Sequence, residues 1–136
     1  GDELIIRDVW GAIAYKGEGC FIAGGAGITP FLAIFRQLHK SKKIDGNRLY
    51  FSNKTESDII LRDELTTMLG DNARFILTRS SAPGIEKGYI DKEFLQKNVS
   101  DFSKPFYVCG PDKMVESISN DLRPLGASPE AIVFEQ

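Results

Sequence analysis

Apolar positions along the chain alternate between two spacings. Short, mostly apolar runs, Cys20–Gly24, Arg48–Ser52, Ala73–Thr78, Phe106–Cys109 and Ala131–Phe134, suit strands, several of them buried on both faces. Between these runs the apolar residues recur every three or four positions. Phe31, Ile34, Phe35 and Leu38 share one face of a helix predicted over Pro30–Lys40. Leu61, Leu65, Met68 and Leu69 fall on one side of a second helix, Asp63–Leu69, which Gly70 and Asp71 end. Asp91 is placed to cap a third, in which Phe94, Leu95 and Val99 share a face. Val115, Ile118 and Leu122 mark a fourth, Asp112–Leu122. Residues 41–47 read as a linker and Arg79–Lys87 as a polar loop. Strands alternating with helices predict the α/β class: a five-stranded, doubly wound parallel sheet with helices on both faces. Ligands of such a sheet lie at the carboxyl ends of its strands, where the winding changes direction.

Residues 1–16 break this pattern. Leu4-Ile5-Ile6 and Ala12–Tyr15 read as two short strands about a turn containing Trp10. Two short strands without a sheet of their own are not a stable unit. They are expected to be the tail of a preceding domain, in keeping with a first residue that is not Met.

Composition narrows the chemistry. The chain has 136 residues, 42% hydrophobic and 26% charged, enough for one core. A net charge of −2 gives no electrostatic case for nucleic acid or an anionic membrane. No apolar run approaches the roughly 20 residues that span a bilayer. The two cysteines, Cys20 and Cys109, fall in strand-like runs and read as buried thiols. They cannot supply the four thiolates of an ordinary iron–sulfur cluster. With His39 as the single histidine, a zinc site of Cys and His is not expected.

Two strand ends carry the candidate chemistry. The first run enters Gly24-Gly25-Ala26-Gly27-Ile28-Thr29-Pro30. The glycines permit backbone conformations and close approach that a Cβ obstructs. Thr29 reads as the helix cap and Pro30 as the first helical residue. Strand, glycine turn and helix start in that order make a phosphate site; the alternative is a tight turn with no ligand. The spacing is not the G-x-G-x-x-G fingerprint. The second strand end is Cys109-Gly110-Pro111, after which Asp112 opens a helix.

Together, these two motifs resemble those of the nicotinamide-nucleotide half of the ferredoxin–NADP reductase family of flavoenzymes. The stretch from Phe51 to Leu65, FSNKTESDIILRDEL, is similar to the segment after the second strand in the cytochrome b5 reductase branch. The resemblance implies that residues 1–16 are the C-terminal remnant of a flavin-binding β-barrel and 17–136 an NAD(P)-binding domain. The family's flavin-holding Arg-x-Tyr-Ser/Thr motif is absent from this chain, so FAD is expected in the full-length protein rather than on this piece.

The resemblance also implies residue roles. Gly24, Gly25, Ala26, Gly27, Thr29 and Pro30 would surround the pyrophosphate and the nicotinamide side. Cys109 would face the nicotinamide, with Gly110 and Pro111 shaping that wall and Asn53 and Met114 completing the set. Hydride would pass between nicotinamide C4 and flavin N5, with the protein supplying position rather than acid–base chemistry. Glu135 is a candidate for the redox site or a solvated terminal carboxylate. Thr78, Arg79 and Ser80 occupy the place of the adenosine 2′ group. Thr78 stands where an acid would repel a phosphate, and Arg79 either pairs with a 2′-phosphate or is a surface arginine. The reading leans to NADPH over NADH. The expected partner is ferredoxin, flavodoxin or a similar one-electron carrier, and the expected location cytoplasmic. A non-catalytic nucleotide-binding module and the reductase domain of a multicomponent oxygenase are the competing readings.

Overall fold

The computed structural model describes residues 4–8, 11–15, 17–59, 61–83, 85–127 and 129–133. Strands β1 (Leu4–Asp8) and β2 (Gly11–Tyr15) form an antiparallel pair, Leu4 opposite Tyr15 and Asp8 opposite Gly11. The alternating part follows: β3 (Cys20–Gly24), α1 (Ile28–Lys40), β4 (Arg48–Asn53), α2 (Arg62–Leu69), β5 (Ala73–Leu77), β6 (Glu86–Lys87), α3 (Lys92–Asn98), β7 (Phe106–Gly110), α4 (Asp112–Leu122) and β8 (Glu130–Val133). The main sheet is parallel throughout, in the order β6-β5-β4-β3-β7-β8. Winding runs outward from β3 through β4 and β5, then restarts on its other side with β7 and β8. The switch point therefore falls between β3 and β7.

Burial follows the unbroken apolar runs. All five residues of β3 and of β7 are buried. Alternation sorts their side chains to two faces. Phe21, Ala23, Tyr107 and Cys109 join the core under α1 and α2, with Phe31, Ile34, Phe35 and Leu65. Cys20, Ile22, Phe106 and Val108 join the core under α3 and α4, with Phe94, Leu95, Ile118 and Leu122. The sheet is thus covered on both faces, as predicted.

Three details differ from the sequence reading. The polar loop after β5 contains β6, a two-residue edge strand that pairs Ile76 with Glu86 and Leu77 with Lys87. The glycine turn winds as a 3-10 turn, Gly25–Gly27, straight into α1. Gly27 therefore takes the cap position with no side-chain cap bond, and Thr29 and Pro30 are the second and third helical residues. Pro30 is tolerated there because the amides of a helix's first turn have no partner within the helix. Asp91 behaves as expected, its Oδ1 accepting a hydrogen bond from the Phe94 amide at 2.8 Å.

The hairpin is tied to the sheet by aromatic and polar contacts. Tyr15 stacks against Phe21 and Tyr107, with centroids at 6.4 and 6.0 Å. Its hydroxyl donates to Asn47 Oδ1 at 3.3 Å, and the Gly19 amide donates to the same oxygen at 3.1 Å. Tyr107 donates to the Gly17 carbonyl at 2.9 Å. Asn47 is fully buried and also donates to the Ile44 carbonyl, so one side chain pins both the chain entering β3 and the linker before β4. No helix among the described residues is long and apolar enough to cross a membrane.

Candidate functional site

The two strand-end motifs pack directly on each other. A Cβ on Gly27 would stand 2.3 Å from the Cys109 carbonyl oxygen and 2.9 Å from Gly110 Cα. Only glycine lets the turn lie on the end of β7. A Cβ on Gly24 would stand 2.1 Å from Met114 Sδ, the first side chain of α4 to fold back over the turn. Gly25 has φ +54°, in the left-handed region that strains other residues. The amino termini of α1 and α4 both begin at this junction, so two positive helix ends meet at the switch point.

Beside the junction lies a cleft of about 820 Å³ over the carboxyl ends of β3, β4 and β5. It falls within the roughly 300–1,000 Å³ of small-ligand sites. Gly24, Gly25, Asn53, Thr78, Pro111 and Met114 of the predicted set line it. Arg79 and Ser80 sit at its edge, where both amides donate to the Lys54 carbonyl at 3.0 and 3.1 Å. Gly27 and Gly110 are buried behind the turn, and Thr29 is exposed on the first turn of α1. Ala26 lies in the 3-10 turn, and Pro30 is buried in α1. Cys109 is fully buried with Phe21 and Tyr107 on the α1 side of the sheet and does not line the cleft. Glu135 lies outside the described residues.

Asn53 is the most informative of these. It ends β4, is only 5% exposed, and neither its Nδ2 nor its Oδ1 has a hydrogen-bond partner. Its backbone carbonyl is already taken by the Thr78 amide at 2.9 Å. A buried amide left unpaired costs about 1–3 kcal/mol for each unsatisfied group. Asn53 lines the cleft while both amide atoms are closed to solvent, so a ligand that brings a donor and an acceptor pairs with them once the side chain turns toward it. With the glycine cradle and the two helix ends, this donor set fits an anionic, hydroxyl-bearing ligand such as a dinucleotide.

The cleft carries few charged groups among its lining residues. Lys54 is the cation on its lining, beside Asp58 and Asp91. Each carboxylate is already engaged: Asp91 caps α3, and Asp58 Oδ2 accepts from the Thr55 amide and hydroxyl at 3.1 and 2.9 Å. No histidine lines the cleft, and the described residues hold no group of three metal-ligating side chains. The opposite edge of the sheet has a smaller hollow of about 210 Å³ beside Cys20, whose thiol burial pushes far above its ordinary range. Buried in this way, Cys20 packs as a small apolar side chain.

The sequence reading missed one wall. Tyr89, Ile90 and Asp91 close the cleft on the β5–β6 side, and Ser117 and Ile118 join Met114 on one face of α4. Tyr89 is 67% exposed, a large ring held open beside a cleft, and offers a face for a planar base. Its only signal in the sequence is an aromatic beside Gly88 in a polar loop.

The fold is that of an α/β domain whose cleft, the candidate ligand site, lies at the carboxyl ends of its strands beside the switch point. The chain belongs to the oxidoreductase NAD-binding domain family, whose model matches residues 21–120. It is 32% identical to NADH-cytochrome b5 reductase 2 of Mycosarcoma maydis over 96% of this chain and 41% of that relative. Its fold matches the FAD/NAD-binding domain of nitric oxide dioxygenase from Vibrio cholerae with TM-score 0.78 at 20% identity, covering 90% of this chain and 53% of that one. A ferredoxin NADP+ reductase from Neisseria gonorrhoeae with bound FAD and NADP matches with TM-score 0.69 at 22% identity, covering 88% and 61%. The chain spans less than half the length of the cytochrome b5 reductases it matches.

Proposed function

We propose that this chain is the nucleotide half of an NAD(P)H-dependent flavin reductase. The single observation that carries the reading is the unpaired, buried amide of Asn53 in a cleft floored by the glycine turn. Gly24 and Gly25 let the dinucleotide backbone approach the sheet, and the α1 and α4 termini attract its phosphates. Asn53 binds one polar group in mid-cleft, while Pro111 and Met114 bound the end nearest β7. A nicotinamide bound there would supply a hydride to a flavin held outside residues 17–136. Residues 1–16 then belong to that flavin-binding barrel and 17–136 to the nucleotide domain. Cys109 and Gly110 act through the backbone on which Gly27 rests. Glu135, near the chain's end, is assigned to the flavin-facing side.

Electrons pass on to a one-electron carrier of the ferredoxin, flavodoxin or cytochrome type. The names of the sequence relatives favour a cytochrome. The cytoplasm, where reduced nicotinamide nucleotides are present, is the proposed location. Thr78 in place of an acid, with Arg79 and Lys54 tied at one corner, supports NADPH as a substrate.

The full-length protein should be yellow and should bleach on anaerobic addition of NADPH. A protein that binds nucleotide but fails to bleach even with added FAD is a binding module, and the reductase reading then fails. Arg79→Ala should weaken NADPH binding about tenfold and leave NADH binding within about twofold, as expected for loss of one charge-assisted phosphate contact. Equal losses for both nucleotides would remove the case for NADPH.

A further inference from the structure

We propose that Arg74 is a positioning residue that sets the adenosine-side wall of the nucleotide cleft. This rests on the dinucleotide reading above. Arg74 lies on β5, pointing away from the α1 core, and does not line the cleft. Its guanidinium holds three elements at once. Nη2 donates to Glu86 Oε2 on β6 at 2.6 Å, and Nη1 donates to Asn98 Oδ1 at the end of α3 at 2.5 Å. Its plane lies over the rings of Tyr50 and Phe94, with Cζ at 5.6 and 5.7 Å from their centroids. Asn98 is itself fixed, since its Nδ2 donates to the Phe94 carbonyl at 2.8 Å.

The segment between those anchors is the missed wall. Residues 87–91 leave β6 at Glu86–Lys87 and enter α3 at Lys92, carrying Tyr89, Ile90 and Asp91 past the cleft. β6 has only two residues, and its pairing with β5 is too short to hold this segment by itself. The Gly88 amide adds one bond to the Leu77 carbonyl at 2.9 Å. One guanidinium that holds Glu86, just before the segment, and Phe94 and Asn98 of the helix that follows it limits where the Tyr89 ring stands. Arginine suits the task because its planar fork makes two directed bonds and stacks on aromatic faces simultaneously. Such second-layer support is what keeps a binding group within its productive geometry. Tyr89 lines the same cleft as Thr78, and the Gly88 amide on the Leu77 carbonyl sets it next to the end of β5, where the adenosine half of the ligand is proposed to lie.

The test is a double-mutant cycle on the full-length protein, with NADPH and NADH as probes. Arg74→Met keeps the aliphatic stem and removes the fork. It should raise the Kd and KM for both nucleotides about tenfold while kcat stays within about twofold. In a Tyr89→Ala background the same change should have almost no further effect, because the ring it positions is gone. Glu86→Gln, an exposed change, should raise Kd about threefold and likewise lose its effect in that background. Independent, multiplying losses for Arg74 and Tyr89 would overturn the proposal, as would unchanged affinity in both Arg74→Met and Glu86→Gln. If Arg74→Met fails to fold, the Glu86→Gln arm decides alone. Failure of the unmodified protein to bind either nucleotide would refute the dinucleotide reading itself, a separate outcome.

Discussion

Gly27→Ala should destabilise the protein by about 3 kcal/mol, at the upper end for overpacking, and abolish measurable nucleotide binding. At φ −63° and ψ −9° the residue already has a backbone that alanine adopts easily. By local propensity alone the change would stabilise by up to about 1 kcal/mol. The clash reverses the sign. The new methyl meets the Cys109 carbonyl oxygen at 2.3 Å and its carbon at 2.6 Å, both backbone atoms inside a buried strand. Neither can rotate aside, so the turn and β7 must separate, and the junction of the two motifs opens. Gly24→Ala provides the contrast. Its methyl meets Met114 Sδ, the far part of a flexible side chain that can swing into the cleft. That variant should lose under about 1.5 kcal/mol of stability, within the range of a modest overpacking, yet bind nucleotide poorly. Urea unfolding with nucleotide titration measures both quantities. A Gly27→Ala protein as stable as the parent would show that turn and strand are not in contact.

Asn53→Leu should do the opposite to stability. Leucine has the branching of asparagine with more bulk and no polar atoms, and the adjoining cleft has room for that bulk, so the change removes the cost of an unpaired amide in the unliganded protein. The gain should be about 1–2 kcal/mol, part of the desolvation penalty of the two orphaned groups. Nucleotide affinity should fall about 10- to 100-fold, the worth of one or two hydrogen bonds in a site closed to water. A rise in melting temperature together with a weaker Kd is the signature of a residue kept for its ligand at the expense of the fold. A fall in stability with unchanged affinity would place the Asn53 amide in an internal network instead and remove the main support for the site.

What the sequence reveals depends on what each feature is made of. β3 and β7 were legible because every side chain along them is buried, which only an unbroken apolar run satisfies. β6 was not, because its two residues are Glu86 and Lys87, and it is a strand only through its pairing with β5. The two motifs were legible as strand ends, and their mutual contact follows from β3 and β7 being neighbours across the switch point. Helix geometry at Thr29 differs from the sequence reading because the 3-10 turn through Gly25–Gly27 begins the helix two residues sooner than a Thr29 cap would. Asn53 could be named by resemblance, but its unpaired state requires coordinates. Tyr89 escaped because periodicity carries no information about an aromatic in a loop. The side of the sheet taken by Cys109 was implicit in strand alternation, since it must share the face of Tyr107.

The brevity of β6 also bears on solubility. A parallel sheet ends in two rows of unpaired amides and carbonyls, each a template for a stranger's strand. Here one border carries a two-residue stub of opposite charges over Ile76 and Leu77, which leaves only the short stretch Ala73–Phe75 of β5 open on that side. At the other, β2 lies against β8. Arg74, by holding that stub in place, guards a frontier of the sheet as well as a wall of the cleft.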